Sequence, residues 1–329
     1  MNRSRDIILL ITHSNDYFTI DRVAEALSKR GAKPFRFDTD QFPTKVQLAA
    51  GISSEGLSYQ LDYSGHSITT EDVQGVWMRR LWHPQVSPDL APQFQDACVR
   101  ESLATIDGFL DNLNHARWVD RLERIREAEN KPRQLRIANE VGLLVPRTLV
   151  TNNPDRMRGF FAEVEGKMVA KLLTPLSYSM EASSFFLYTS VVKEKDLQEA
   201  EMLRYSPMVF QEEIPKQREL RIAFVAGNLY VGALDASRYS ATTMDWRSAK
   251  PEDCPWEPDQ LPSEVAHGLN ALMARLGLTY GAIDMIVTPD GEYVFLEVNP
   301  TGEWGMLERD LGYPISDAIA QALLSDVVN

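Results

Sequence analysis

The sequence predicts an α/β protein: a parallel βαβ unit at the N-terminus, then central and C-terminal parts of mixed α+β character. Three stretches carry that expectation. Asp6 to Thr12 is a continuous apolar run, Asp21 to Arg30 is amphipathic with Val23, Ala24 and Leu27 on one side, and Lys33 to Phe37 is extended. With Gly31 ending the helix, this is strand, helix, strand at βαβ spacing. Gly281 to Trp304, GAIDMIVTPDGEYVFLEVNPTGEW, holds two apolar strands, Ile283 to Thr288 and Tyr293 to Val298, around Asp290-Gly291. Asp-Gly between apolar runs is a strong hairpin signal. Arg218 to Asp235 forms a second hairpin around Gly227-Asn228.

Taken in order, Leu57 to Tyr63 and His66 to Thr69 pair around Ser64-Gly65, and Val73 to Leu81 is a further strand. Alternation puts Arg79 on the face of Trp77 and Arg80 on the opposite one. Parallel sheets bind ligands at the carboxyl ends of their strands. Either arginine can therefore hold a carboxylate or phosphate in its fork, or serve as an ion-paired or solvated surface residue. Phe94 to Asn112 is a helix with Leu103, Ile106 and Leu110 at helical spacing. Pro132 suits the first turn of a helix that runs to Val141 and stops at Gly142. Leu143 to Val150 is extended, and Asn152-Asn153-Pro154 caps a helix through Glu163. Gly166 to Leu173 is a strand with Lys171 in its apolar middle. Burying an unpaired ammonium costs several kcal/mol, so Lys171 needs a structural acid, a phosphate or a path to an edge. Leu176 to Ser184 is a polar loop carrying Glu181, Phe185 to Ser190 a strand, and Lys193 to Leu203 a charged surface helix. Pro207 to Ile214 is a strand ending in acids, and Glu219 and Arg221 share a face of the strand that follows. Pro262 to Leu276 and Ile315 to Leu324 are helices. The expected parts are 1–117, 118–206 and 207–329.

The C-terminal hairpin carries the chemistry. A two-residue turn at Asp290-Gly291 pairs Pro289 with Glu292, and that register sets Asp284 opposite Glu297 with Asn299 on the same face. Like charges opposed on a sheet repel, so a cation or a proton belongs between them. Two carboxylates and an amide oxygen are hard ligands suited to Mg²⁺. The alternative is an edge hairpin with its acids in water. The 329 residues carry a formal net charge of −13, which speaks against a nucleic-acid surface. The two cysteines, Cys98 and Cys254, form no metal-ligand spacing and fit a reduced, cytoplasmic protein. No apolar run is long enough for a membrane span. His13, His66, His83, His115 and His267 are scattered, with no triad or ligand pattern among them.

In this order the blocks resemble the ATP-grasp superfamily of carboxylate–amine ligases over residues 120–303. The blocks are Asn130-Lys131 to Pro146, Lys171-Leu-Leu, Gln211-Glu212 with Ile214, Glu219-x-Arg221, then Asp284, Glu297 and Asn299. The resemblance implies an ATP-grasp fold with ATP between the central and C-terminal domains. It implies that Lys131 and Lys171 hold phosphates and that Gln211, Glu212, Glu213 and Ile214 line the adenine pocket. Glu219 would meet the ribose or the metal region, and Arg221 with Lys171 would steady the transferring phosphoryl group. Asp284, Glu297 and Asn299 would bind Mg²⁺. One departure is plain: Thr174 to Glu181 lacks the glycines of the phosphate loop found in glutamate-ligase relatives.

Over nearly the full length the chain looks like the ligases that crosslink microviridin-type precursor peptides, the graspetides. FRFDTDQFP (35–43), VWMRRLW (76–82), MVFQEEIPKQRELRI, TMDWR and LEVNPTGEWGMLE carry this resemblance. It implies a ribosomal precursor peptide as partner, with a helical leader segment docked on the central domain. Glu181, an acid beside Met180 with Phe185 and Phe186 behind it, suits such a helix, the alternative being an exposed loop. Arg79 and Arg80 can hold the acidic core, and Pro300 to Trp304, with Glu303, is the wall where the acyl phosphate meets its nucleophile. The resemblance also implies a homodimer. VWMRRLW, EGKMVAKLL and PTGEWGMLE look closer to the lactam-forming type than to its lactone-forming sister. A glutamate-ligase-type enzyme that adds amino acids to a peptide, and a nucleotide-gated peptide-binding module, are the competing readings.

Overall fold

The computed structural model describes residues 6–54, 56–172, 189–238 and 255–325. The N-terminal part runs β1 (Ile7–Thr12), α1 (Thr19–Lys29), β2 (Lys33–Asp38), β3 (Gln47–Ser53), β4 (Gly56–Tyr63), β5 (His66–Thr69), β6 (Val73–Met78), α2 (Pro92–Asp111) and β7 (Arg117–Val119). β2-β1-β6-β7 is a parallel sheet in that order, and β3-β4-β5 is a separate antiparallel one. β1 is buried almost throughout, as a parallel strand covered on both faces must be. The strand expected over 73–81 ends at Met78. Beyond it the amides of Arg79 and Arg80 converge on the Ile11 carbonyl at 3.0 and 3.1 Å, so strand alternation no longer governs their side chains.

The central part comprises α3 (Leu122–Ala128), α4 (Lys131–Glu140), β8 (Thr148–Thr151), α5 (Pro154–Glu163), β9 (Met168–Lys171), β10 (Ser190–Val192) and β11 (Met208–Glu212), in an antiparallel sheet β10-β9-β11-β8. The side chains of Asn130 and Asn153 cap α4 and α5, each accepting backbone amides of the first turn. Lys171 lies at the end of β9, not in its middle. The charged helix expected over 193–203 is present as a 3-10 helix, Glu194–Tyr205.

The C-terminal part runs β12 (Arg218–Val225), β13 (Asn228–Asp235), β14 (Glu257–Pro258), α6 (Ser263–Leu276), β15 (Tyr280–Val287), β16 (Tyr293–Asn299), α7 (Gly305–Leu311) and α8 (Ile315–Leu324), with sheet order β14-β13-β12-β15-β16. The β12–β13 turn is Ala226-Gly227, both at positive φ (47° and 93°), one residue earlier than expected. α8 returns to the N-terminal sheet. Arg117 Nε donates to the Ala322 carbonyl at 2.5 Å, and Arg22 of α1 pairs with Glu308 of α7 at 2.9 Å. A single core cluster contains Ile8, Trp77, Trp304 and Ile319. The first and last parts of the chain are therefore packed as one body, with the loop 300–304 against the carboxyl ends of the parallel strands. No helix among the described residues is long and apolar enough to cross a membrane.

Candidate active site

Asp284 does face Glu297, but not through the turn expected for it. The β15–β16 loop holds three residues, Pro289 to Gly291, closed by Thr288 N to Glu292 O at 2.9 Å, with Gly291 at φ 84°. That shifts the register by one. A bulge that leaves Leu296 unpaired shifts it back, since Met285 pairs with Phe295 and Asp284 with Glu297. The correction matters because either departure alone would have turned Glu297 into the core.

The side of the sheet that carries Asp284 and Glu297 is graded. Arg221, Asp284 and Glu297 form one cross-strand row, and Glu219, Ile286 and Val294 the next. The opposite face, with Leu220, Ile222, Ile283, Met285 and Val298, is core. Past the apolar end of this side, Leu144, Val145, Glu212, Ile214, Thr288 and Val294 line a cleft of about 320 Å³. One end is charged, and the other sets the apolar Leu144, Val145, Ile214 and Val294 among the acids Glu212, Asp290 and Glu292.

At the charged end the acids are paired. Lys131 Nζ lies 2.7 Å from Glu297 Oε2 and 3.3 Å from Asn299 Oδ1. Asn299 Nδ2 donates to Glu297 at 3.0 Å and to Asp284 at 3.4 Å. Arg221 holds both Asp284 oxygens, at 2.7 and 2.8 Å, and its other nitrogens donate to the Glu303 carbonyl at 3.1 and 2.9 Å. Burial resists ionisation of Glu297, but the charge and hydrogen bond of Lys131, the charge of Lys171 and the Asn299 amide outweigh it. Together they hold the carboxyl well below the usual range. The charge of Lys171 reaches Glu297, in line with the structural acid among the three alternatives open to it.

α4 is locked beneath the site by Gln134, a residue the sequence did not single out. Its fully buried amide donates to the carbonyls of Ala128 and Val298, at 2.5 and 2.8 Å, and accepts the Val298 amide at 2.9 Å. Lys131 starts the same helix, so Gln134 fixes that ammonium against β16. A glutamine inside an amphipathic helix carries no sequence signal of such a tie.

The hinge residues have mixed placements. Gln211 is buried, with Nε2 donating to Thr148 at 3.0 Å, and Glu212 is held by the amide and guanidinium of Arg147 at 2.9 and 2.6 Å. The Glu213 amide bonds the Lys167 carbonyl at 2.9 Å, and Ile214 lines the cleft. Glu219 pairs with Lys216.

Arg79 is 1% exposed. It donates to Glu303 Oε2 and to the Thr301 carbonyl, both at 2.5 Å, which places it in the ion-paired alternative and not at a surface. Arg80, a third exposed, lies 3.9 Å from Glu303. Glu303 also accepts the amides of Trp304 and Gly305 at the start of α7, at 3.1 and 2.9 Å. Glu181, the loop 174–181 and Asp245-Trp246-Arg247 fall outside the described residues.

The donor set fits Mg²⁺. Asp284, Glu297 and Asn299 are hard oxygen donors brought to one spot, and no cluster of three or more His, Cys, Asp or Glu occurs among the described residues. Mg²⁺ typically takes one or two carboxylates and completes its shell with phosphate oxygens and water.

A family profile described as the MvdD pre-ATP-grasp domain matches residues 7–126. None of the curated proteins searched matches the chain. Among solved structures, macrocyclase MdnB from Microcystis aeruginosa MRC is 55% identical, with a TM-score of 0.84 over 98% of this chain and 100% of that one. MdnC of the same organism, bound with precursor peptide MdnA, is 36% identical with a TM-score of 0.87 over 97% and 100%. A Chryseobacterium gregarium ATP-grasp ligase associated with ribosomal peptides, in complex with ADP and a leader and core peptide, is 33% identical with a TM-score of 0.89 over 97% and 96%.

Proposed function

The chain belongs to the microviridin-type ATP-grasp macrocyclases, and from that premise we propose that it closes a Glu or Asp side chain of a ribosomal precursor peptide onto a Lys amine, giving an ω-amide lactam. The observation that carries the proposal is the graded face. The apolar side chains of Leu144, Val145, Ile214 and Val294 at one end suit the adenine of ATP, and the charged end gathers Lys131, Lys171, Arg221, Asp284, Glu297 and Asn299 where phosphates would lie.

Lys131 and Lys171 bind the phosphates, and the backbone of Gln211 to Ile214 reads the base. The buried or tied side chains of Gln211 and Glu212 leave that task to main-chain groups. Glu219 accepts from the ribose. Asp284, Glu297 and Asn299 would hold Mg²⁺, which would supply positive charge to offset that of the phosphates during transfer of the γ-phosphoryl group to the peptide carboxylate. Arg221 has two roles. It keeps Asp284 aligned, and it pins the Glu303 carbonyl, so the wall of the peptide site is fixed to the phosphoryl site. Arg80, at the rim beside Glu303, is the arginine placed to meet the acidic core. No protein nucleophile is required, because the carboxylate attacks phosphorus and the amine then attacks the acyl carbon.

The lactam assignment rests on VWMRRLW, EGKMVAKLL and PTGEWGMLE. A cytoplasmic homodimer with the leader docked on the central domain near Glu181 completes the reading. The chemistry is tested by treating the ring product with mild base. A lactam survives and a lactone opens, so ring opening would contradict the amide assignment.

A further inference from the structure

The carboxyl ends of the parallel strands hold a second group of side chains that phosphoryl transfer does not use. His13 follows β1 directly and is 5% exposed, and neither ring nitrogen has a hydrogen-bond partner. A buried polar group left in that state is costly and calls for an explanation. The ring stacks on Trp82, with centroids 4.2 Å apart and planes 26° apart. Four charged groups face it: Asp16 and Asp40, which favour protonation, and Arg79 and Arg80, which oppose it. Burial is the largest influence and holds the imidazole below its ordinary value, so it is neutral at pH 7.

The surroundings are fixed, except for one ring. Asp16 accepts the Thr12 hydroxyl at 2.5 Å, and Asp40 accepts the Ser14 amide and hydroxyl at 2.8 and 2.5 Å. Arg79 is committed to Glu303 and stands 3.7 Å from Asp16. The main chain of Trp82 is clamped by the Thr39 hydroxyl, 3.0 Å from both its amide and its carbonyl. Its indole is 37% exposed, so one side of the cover over His13 meets solvent and is not fixed by the main-chain clamp. From here to the phosphoryl site runs one short relay: the Glu303 side chain meets Arg79, and the Glu303 carbonyl meets Arg221, which holds Asp284.

We propose that this crevice is the acceptor subsite, which takes the lysine side chain of the peptide under Trp82 with His13 as the base that deprotonates it. The proposal rests on the macrocyclase reading and names the site of its second half-reaction. The indole face and the Asp16 and Asp40 carboxylates attract an alkylammonium, against Arg80, while the charge of Arg79 is already met by Glu303; a neutral hydroxyl gains less from the same groups, so the subsite favours an amide over an ester. The unprotonated nitrogen of His13 takes one proton from the ammonium. The freed lone pair forms the N–C bond with the acyl carbon, and the C–O bond to phosphate breaks with its electrons on phosphate. The second proton goes to phosphate, leaving amide, hydrogen phosphate and imidazolium, which returns its proton to water when Trp82 opens.

The test uses the full-length enzyme with ATP, Mg²⁺ and MdnA as the peptide probe, and compares His13→Asn and His13→Gln with wild type. One readout is acyl-phosphate formation, trapped as the hydroxamate by hydroxylamine, which is a neutral nucleophile at pH 7 and needs no base. The other is ring closure, read as loss of water. Loss of a general base slows its step by about 10²–10⁴-fold. Closure should fall by at least about 10²-fold in both variants while trapping stays within about threefold of wild type, and closure should recover as pH rises towards the lysine range. Wild-type closure in either variant, or equal loss in both readouts, overturns the proposal. Wild-type enzyme giving neither hydroxamate nor ring overturns the macrocyclase reading itself, and this subsite with it.

Discussion

Replacing Gln134 with alanine should loosen the active site from beneath. The substitution strands a backbone N–H at Val298 and carbonyls at Val298 and Ala128, inside a core that contains Leu269, Met273 and Phe295. Each buried polar group left unpaired costs about 1–3 kcal/mol. Relaxation and a water in the vacated volume recover part of the sum, so a net loss of about 3 kcal/mol is expected. For a chain of 329 residues that corresponds to a Tm lower by roughly 4–5 °C. Gln134→Met fills the volume without restoring a hydrogen bond and should lose nearly as much, which separates the polar contribution from the cavity. Because Val298 lies between Glu297 and Asn299, and Lys131 heads the same helix, the Mg²⁺ concentration for half-maximal ADP release should also rise several-fold. Thermal unfolding followed by circular dichroism, with a Mg²⁺ titration, reads both effects. A Tm within about 2 °C of wild type for both variants would refute the reasoning.

Asp120, buried and accepting the amides of Thr279 and Tyr280 at 2.9–3.0 Å, has a carboxyl that burial raises from 3.8 to about 6. The folded state then binds this proton more tightly than the unfolded chain, so this group's contribution to stability falls as pH rises from about 4 to about 6, by about 3 kcal/mol; a carboxyl-carbon NMR titration should show a midpoint near 6, and one near 4 would contradict it. The Arg79–Glu303 pair should give a coupling of at least about 2 kcal/mol in a double-mutant cycle of Arg79→Met with Glu303→Ala, because the guanidinium is buried; a coupling under about 0.5 kcal/mol sinks the claim that it anchors the loop. Gly302→Ala would set a Cβ 2.5 Å from Ala282 Cβ and 3.1 Å from the Arg221 guanidinium, so ring closure should slow by at least about tenfold for a stability cost of about 1–3 kcal/mol, and a wild-type rate would contradict it.

The βαβ unit and both C-terminal hairpins were legible because their apolar periods and turn residues are local signals. The Asp284–Glu297 pairing was legible too, though by two departures that cancel: neither the three-residue loop nor the bulge at Leu296 leaves a mark that distinguishes it from a tight Asp-Gly turn. β7, at three residues, and α7, at seven, are too short to show a period. Tertiary contacts made elsewhere hold them, through β6 and through the Arg22–Glu308 pair. Arg79 could be placed near a ligand-binding edge but not in a buried ion pair, since its partner Glu303 is 224 residues away. Gln134 was not singled out, and His13 was read only as one of five scattered histidines, for the same reason. What each does depends on groups brought to it from distant strands and loops.

The most direct test is the intact mass of MdnA after incubation with the enzyme, ATP and Mg²⁺, with ADP counted in the same sample. One water lost and one ADP released for each ring is predicted, with both abolished in the double variant Asp284→Asn, Glu297→Gln. A gain in peptide mass, or ring closure by that double variant at the wild-type rate, would contradict the assignment of this face as the Mg²⁺–ATP end of a peptide macrocyclase.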